Sequence, residues 1–132
     1  GGAIPERFHE LRRAEDDRVL REGLDPVPGA LAFLDSLPPE RPRAIASSSS
    51  TMWIRAHLDH IRRASVFGTA IFSGKEHVTR GKPAPDLYLY AAEQLAAEPA
   101  DCFVIEDSPT GVAAASAACW RRAIACPTIA TG

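Results

Sequence analysis

The sequence predicts an α/β fold: a parallel β-sheet with helices packed on both of its faces. Two observations carry this prediction. From residue 30 onward, short apolar segments alternate with longer stretches of helical periodicity, the pattern of repeated strand-helix units. In addition, three polar clusters lie where the C-terminal ends of parallel strands would open to ligand.

Each element has its own reason. Residues 4 to 24 read as a helix, with Ile4, Phe8, Leu11, Val19, Leu20 and Leu24 as apolar positions among Glu and Arg. The stretch GLDPVPG at 23 to 29 breaks that helix and marks a boundary. ALAFLDSL at 30 to 37 is a short helix ended by Pro38-Pro39. RAIA at 43 to 46 is a strand, and TMWIRAHLDHIRRA at 51 to 64 a helix with Ile54, Leu58 and Ile61 on one face. TAIF at 69 to 72 is the second strand. DLYLYAAEQLAA at 86 to 97 is a helix that Asp86 can cap. CFVI at 102 to 105, the helix TGVAAASAAC, and the strand RAIAC at 122 to 126 complete the alternation.

Composition sets broad limits. The 132 residues suffice for a domain with a real core, and 45% hydrophobic with 24% charged residues is ordinary for a globular protein. A net charge of −2 makes no case for nucleic acid or an anionic membrane surface. No apolar run reaches the roughly 20 residues of a membrane span. Cys102, Cys119 and Cys126 are odd in number and form no CxxC pair, so buried free thiols in a reducing, cytoplasmic compartment are expected. The chain begins Gly-Gly and its only methionine is Met52, so upstream residues are expected to be missing.

The three clusters suggest chemistry. Glu106-Asp107 at a strand end places two repelling carboxylates side by side, and a magnesium ion would relieve that repulsion. The plain alternative is a loop in which Asp107 or Ser108 caps the next helix. In RGKPAPD at 80 to 86, Pro83 and Pro85 stiffen the loop that carries Lys82. A held ammonium can neutralise a phosphate or an attacking carboxylate; the alternative is a surface lysine. In IASSSS at 45 to 50, hydroxyls and free N–H groups at a helix start suit phosphate, and helix capping by Ser49 or Ser50 is compatible with that.

In order and placement, these clusters resemble three sequence motifs of the haloacid dehalogenase superfamily. GKPAPDLYLYAAEQL and VIEDSPTGVAAA look most like its β-phosphoglucomutase-like and sugar-phosphate phosphatase branch, and VPGALAFLDSL resembles its re-entry into the core after a helical cap. The resemblance spans about residues 26 to 126. It implies a Rossmann-like three-layer core, Mg2+, and phosphoryl transfer through an aspartyl-phosphate. By position, Ser47 would bind the phosphoryl oxygens with Ser48 and Ser49. Lys82 would orient the nucleophile and balance charge. Asp107 would be the main metal ligand, with Glu106 as a ligand or a group beside the metal.

The family's DxD motif, which supplies the nucleophile, is absent. Asp25, Asp35, Asp59, Asp86 and Asp101 follow no suitable strand, and EDDRVL at 15 to 20 lies within a charged helix. By the family's order the motif and its central strand precede residue 1. Residues 1 to 25 are then expected to be the end of the cap and residues 26 to 132 a partial core. A core lacking its central strand exposes two strand edges, which a segment from elsewhere would fill. The expected parent protein is a phosphatase of small phosphorylated metabolites, with this chain inactive alone. The alternatives are a phosphomutase and a non-catalytic phosphate-binding module.

Overall fold

The computed structural model describes residues 4–118 and 122–125. They form two compact units, Gly1–Arg41 with Met52–Val66, and Pro42–Thr51 with Phe67–Gly132. Cys119 and Cys126 lie outside the described residues. So does the end of the strand expected to reach residue 126.

The first unit is helical. It contains α1 (Glu6–Glu22), α2 (Ala30–Ser36), most of α3 (Thr51–His60) and most of α4 (Ala64–Phe67). Its buried apolar residues are Val19, Ile54 and Leu58. Gly23 ends α1 at φ +77°, a left-handed value that suits glycine, and a Cβ there would also press on the His60 ring. His60 Nε2 lies 2.6 Å from the Leu20 carbonyl, and Arg63 forks onto Asp35 at 2.9 and 2.8 Å. The apolar positions read on α1 are only partly used. Ile4, Phe8, Leu11 and Leu24 are exposed, because nothing described in this unit covers that side of the helix.

The second unit is α/β. It holds β1 (Ile45–Ser47), β2 (Ile71–Ser73), α5 (Asp86–Gln94), a short 3-10 turn at Pro99–Asp101, β3 (Phe103–Glu106), α6 (Pro109–Ala117) and β4 (Arg122–Ala125). The expected alternation is present, with the first two strands beginning two residues later than read from the sequence. All pairing is parallel, but in two sheets of two strands, β1-β2 and β3-β4. Among the described residues no backbone pairing joins β1 to β3.

One helical layer supports both sheets. Tyr88 of α5 and Ala114, Ala115 and Ala118 of the α6 region form a buried cluster on which Ala46 of β1 and Val104 of β3 both rest. Leu87, Ala91 and Phe72 form the adjoining core. Complete burial of a side chain such as Leu87 stabilises the fold by about 1.5–3 kcal/mol. Alternation along β3 sends Val104 and Glu106 toward the helices and Phe103 and Ile105 to the other face, where they are 42% and 46% exposed.

The open side of β1 follows from its hydrogen bonds. Ile45 N–H and the Ser47 carbonyl bond toward β2, through Ala70 O and Gly74 N. Ala46 therefore presents its backbone to the opposite edge.

Candidate functional site

Ser47 is the last residue of β1, and α3 begins at Thr51. The loop between them is held from three directions. Ser47 Oγ accepts from Ser49 N–H at 3.1 Å. Ser73, at the end of β2 and fully buried, donates its hydroxyl to the Ser49 carbonyl at 2.7 Å. Glu76 takes the Thr51 N–H at 3.0 Å and the Thr51 hydroxyl at 2.7 Å, so its carboxylate caps the first turn of α3. Those two hydrogen bonds hold the Glu76 carboxyl below its ordinary range. Ser47 and Ser49 are half-buried and Ser48 is exposed at the loop's crest. Ser73 and Glu76 escaped the sequence reading, because their partners lie 24 and 25 residues away.

Lys82 enters from the loop before α5. Its Nζ donates to the Ala46 carbonyl at 3.2 Å, on the open edge of β1, and to Glu106 Oε2 at 2.6 Å, at the end of β3. Both side chains of this ion pair are nearly enclosed, 11% and 9% exposed. The ammonium thus stands on the open-edge side of β1, close to Ser47, and bridges it to β3.

Glu106 is the most heavily bonded group of the site. Its Oε2 also accepts from the Tyr88 hydroxyl at 2.6 Å. Its Oε1 accepts from Asp107 N–H, Ser108 N–H and Ser108 Oγ at 3.1 to 3.3 Å. Burial pushes the carboxyl upward. The hydrogen bonds from Lys82 and Tyr88 and the Lys82 charge outweigh that and hold it well below 4.5. Burial first, and then the Glu106 carboxylate, push the Tyr88 phenol far up. Gly111 makes this possible: a Cβ at that position would fall inside the Glu106 carboxylate.

Ser108 caps α6 by accepting from Gly111 N–H at 3.1 Å. Asp107 is exposed, next to Glu106 at the C-terminal end of β3. The structure therefore joins Lys82 directly to Glu106 and to Ala46, the neighbour of Ser47, so that these residues gather at one end of the strands with Asp107 beside Glu106. The two acids are not equivalent. Glu106 is half-buried with both oxygens engaged by protein donors, while Asp107 is exposed.

That difference bears on metal binding. Among the described residues no group of three or more His, Cys, Asp or Glu side chains could hold an ion. The described residues offer part of an oxygen ligand set and not a whole one.

Other side chains near these elements find local partners. Asp86 opens α5 as its first residue and pairs with Arg80 at 2.8 Å, while Pro85 takes the capping position. Tyr88, buried in the packing of α5, also spends its hydroxyl on Glu106. His77 accepts from Ser73 N–H at 2.8 Å and stacks on Tyr90. His57 packs edge-on to Trp53, with neither ring nitrogen hydrogen-bonded. Cys102 is only half-buried.

A parallel α/β unit that gathers serine, lysine and paired acids at one end of its strands places them where such sheets bind ligands. Comparison with known proteins specifies the family. The model of the haloacid dehalogenase-like hydrolases matches residues 3–118. The chain belongs to that family. It is 40% identical over 116 residues to hexitol phosphatase A of Escherichia coli, covering 87% of this chain and 51% of the relative. It is 36% identical over 124 residues to the bifunctional riboflavin kinase/FMN phosphatase of Arabidopsis thaliana, covering 92% and 31%. Among solved structures, a family hydrolase from Deinococcus radiodurans, with bound phosphate and sodium, aligns at TM-score 0.76 and 33% identity, over 90% of this chain and 52% of that one. The chain spans about half the length of these relatives or less. Phosphatases of this family generally use a divalent metal. No helix among the described residues is long and apolar enough to cross a membrane.

Proposed function

We propose that this chain carries the phosphate- and metal-facing half of a cytoplasmic phosphatase that acts on small phosphorylated metabolites such as sugar phosphates. The observation that carries the reading is the Lys82 ammonium, held between the open edge of β1 and the acid pair of β3 and next to the Ser47 loop. Ser47, Ser48 and Ser49 present hydroxyls and backbone N–H groups to the phosphoryl oxygens. Lys82 offsets their charge without reorganising when the phosphate arrives. Phosphatase relatives and a phosphate-bound neighbour support this substrate class.

In this reading Asp107 is the chain's ligand to Mg2+, and the bonded state of Glu106 favours a place beside the metal. The nucleophilic aspartate comes from a segment outside these residues. That segment lies as a strand between β1 and β3, whose facing edges carry no strand partner among the described residues. Residues 1 to 25 belong to a cap, and 26 to 132 to the core.

The test is phosphate release from a panel of sugar phosphates by the full-length protein, with Mg2+ and with EDTA. Mg2+-dependent turnover that Asp107→Ala abolishes is the expected result, and the 132-residue chain alone should be inactive. Turnover unaffected by Asp107→Ala would refute the assignment. A phosphomutase reading has one supporting observation, a β-phosphoglucomutase-like neighbour from Thermotoga maritima at TM-score 0.74 and 28% identity. It predicts an isomerised sugar phosphate in place of free phosphate.

A further inference from the structure

Tyr88 stands out among the residues the mechanism has not used. It is 1% exposed, yet it carries a polar tip into the site. Its hydroxyl and the Lys82 ammonium bond the same oxygen, Glu106 Oε2, each at 2.6 Å. An ionised carboxylate only accepts, so the phenol is the donor. The Lys82 Nζ also lies 5.1 Å from the centre of the Tyr88 ring, within cation–π range. Tyr88 therefore meets the ammonium twice, once through its ring face and once through a shared carboxylate.

The remaining oxygen of Glu106 is anchored to the start of α6 by Asp107 N–H, Ser108 N–H and Ser108 Oγ. Glu106 cannot follow Lys82 if the lysine moves, and Tyr88 fixes the direction of its free lobe. A carboxylate with one donor removed turns toward its remaining cation. The lysine, which shares Glu106 Oε2 with the Tyr88 hydroxyl, would shift with that oxygen from its place at the end of β3.

We propose that Tyr88 is a positioning residue for phosphoryl transfer: through Glu106, its hydroxyl fixes where the Lys82 ammonium stands. The proposal rests on the phosphatase reading for its kinetic consequence and on geometry alone for its structural one.

Tyr88→Phe keeps the ring, the packing and the cation–π contact and removes only the hydroxyl. Two measurements on the full-length protein decide the matter. The first is steady-state kinetics. Loss of one hydrogen bond to a charged group is expected to lower kcat about tenfold, with KM unchanged, because the lysine is misplaced while the serine loop is intact. The second is the 1H–15N signal of the Lys82 ammonium, assigned through Lys82→Arg. It should shift in Tyr88→Phe while that of Lys75 stays in place. Tyr90→Phe, whose ring stacks on His77, serves as the control and should change neither reading.

An unmoved Lys82 signal in Tyr88→Phe overturns the proposal, as does an unchanged kcat or a loss confined to KM. A wild-type protein without phosphatase activity would sink the functional reading instead. The ammonium signal would then decide the positioning role by itself.

Discussion

Replacing Gly111 with alanine sets two effects of known size against each other. Gly111 lies in the first turn of α6, where exchange of glycine for alanine ordinarily stabilises a helix by about 1 kcal/mol. Opposing this, the new methyl would occupy the space of the Glu106 carboxylate. A flexible glutamate would normally swing away at little cost. Here it cannot, because Lys82 and Tyr88 hold one oxygen and the α6 N-terminus holds the other. Displacement sacrifices hydrogen bonds to a charged group, about 1.5–3 kcal/mol each. Forcing the methyl in without displacement costs about 1–3 kcal/mol. Set against the helix gain, the clash leaves Gly111→Ala destabilising by up to about 2 kcal/mol net. Urea denaturation measures this directly. The same substitution in a Glu106→Ala background isolates the cause. With the carboxylate gone, Gly111→Ala should become neutral or stabilising. If it costs as much in both backgrounds, the pinned carboxylate is not the reason glycine is required.

Lys82→Ala leaves Glu106 enclosed without its cation, so unfolding free energy should fall by about 3–5 kcal/mol. Lys82→Ala, Glu106→Ala double-mutant analysis by urea denaturation should recover part of that loss. Acid should destabilise the protein, and Glu106 and His57 are two of the groups responsible. The folded-state pKa of Glu106 lies below 4.5, the balance of burial pushing up and stronger hydrogen bonds pulling down. Its contribution is therefore full above 4.5 and lost as pH falls through the folded value. Burial, aided by the His60 charge, lowers the pKa of His57 from 6.5, so stability is also lost as pH drops below that point, and His57→Leu should flatten the urea midpoint there. Asp107→Asn should weaken Mg2+ activation of the full-length protein more than Glu106→Gln does, as read from activity titrated with the metal. Equal effects would place both acids on the ion.

The order of elements, and the places of Ser47, Lys82, Glu106 and Asp107 along it, were legible in the sequence because they depend on short-range patterns. Strand-length apolar runs, prolines around Lys82 and a serine ahead of an alanine-rich helix are all local signals, and Ser108 caps α6 as that pattern requires. Where neighbours compete for one local role, sequence was less sharp. Asp86 opens α5 but does not cap it, since Arg80 takes its carboxylate.

The roles that stayed hidden are those fixed by long-range contact. Nothing in FVIED distinguishes the two acids. Chain direction and the twofold alternation of β3 turn Glu106 inward onto Lys82 and Tyr88, 24 and 18 residues away, while Asp107 stays outside. Nor does the local sequence around Ser73 or Glu76 announce that they hold the loop between β1 and α3. A sequence by itself determines which groups can do chemistry and where along the chain they sit. Which of them meet, and which oxygen each one engages, is decided only when strands and helices from distant segments pack, because a hydrogen bond requires atoms within about 3 Å and that proximity is a property of the fold.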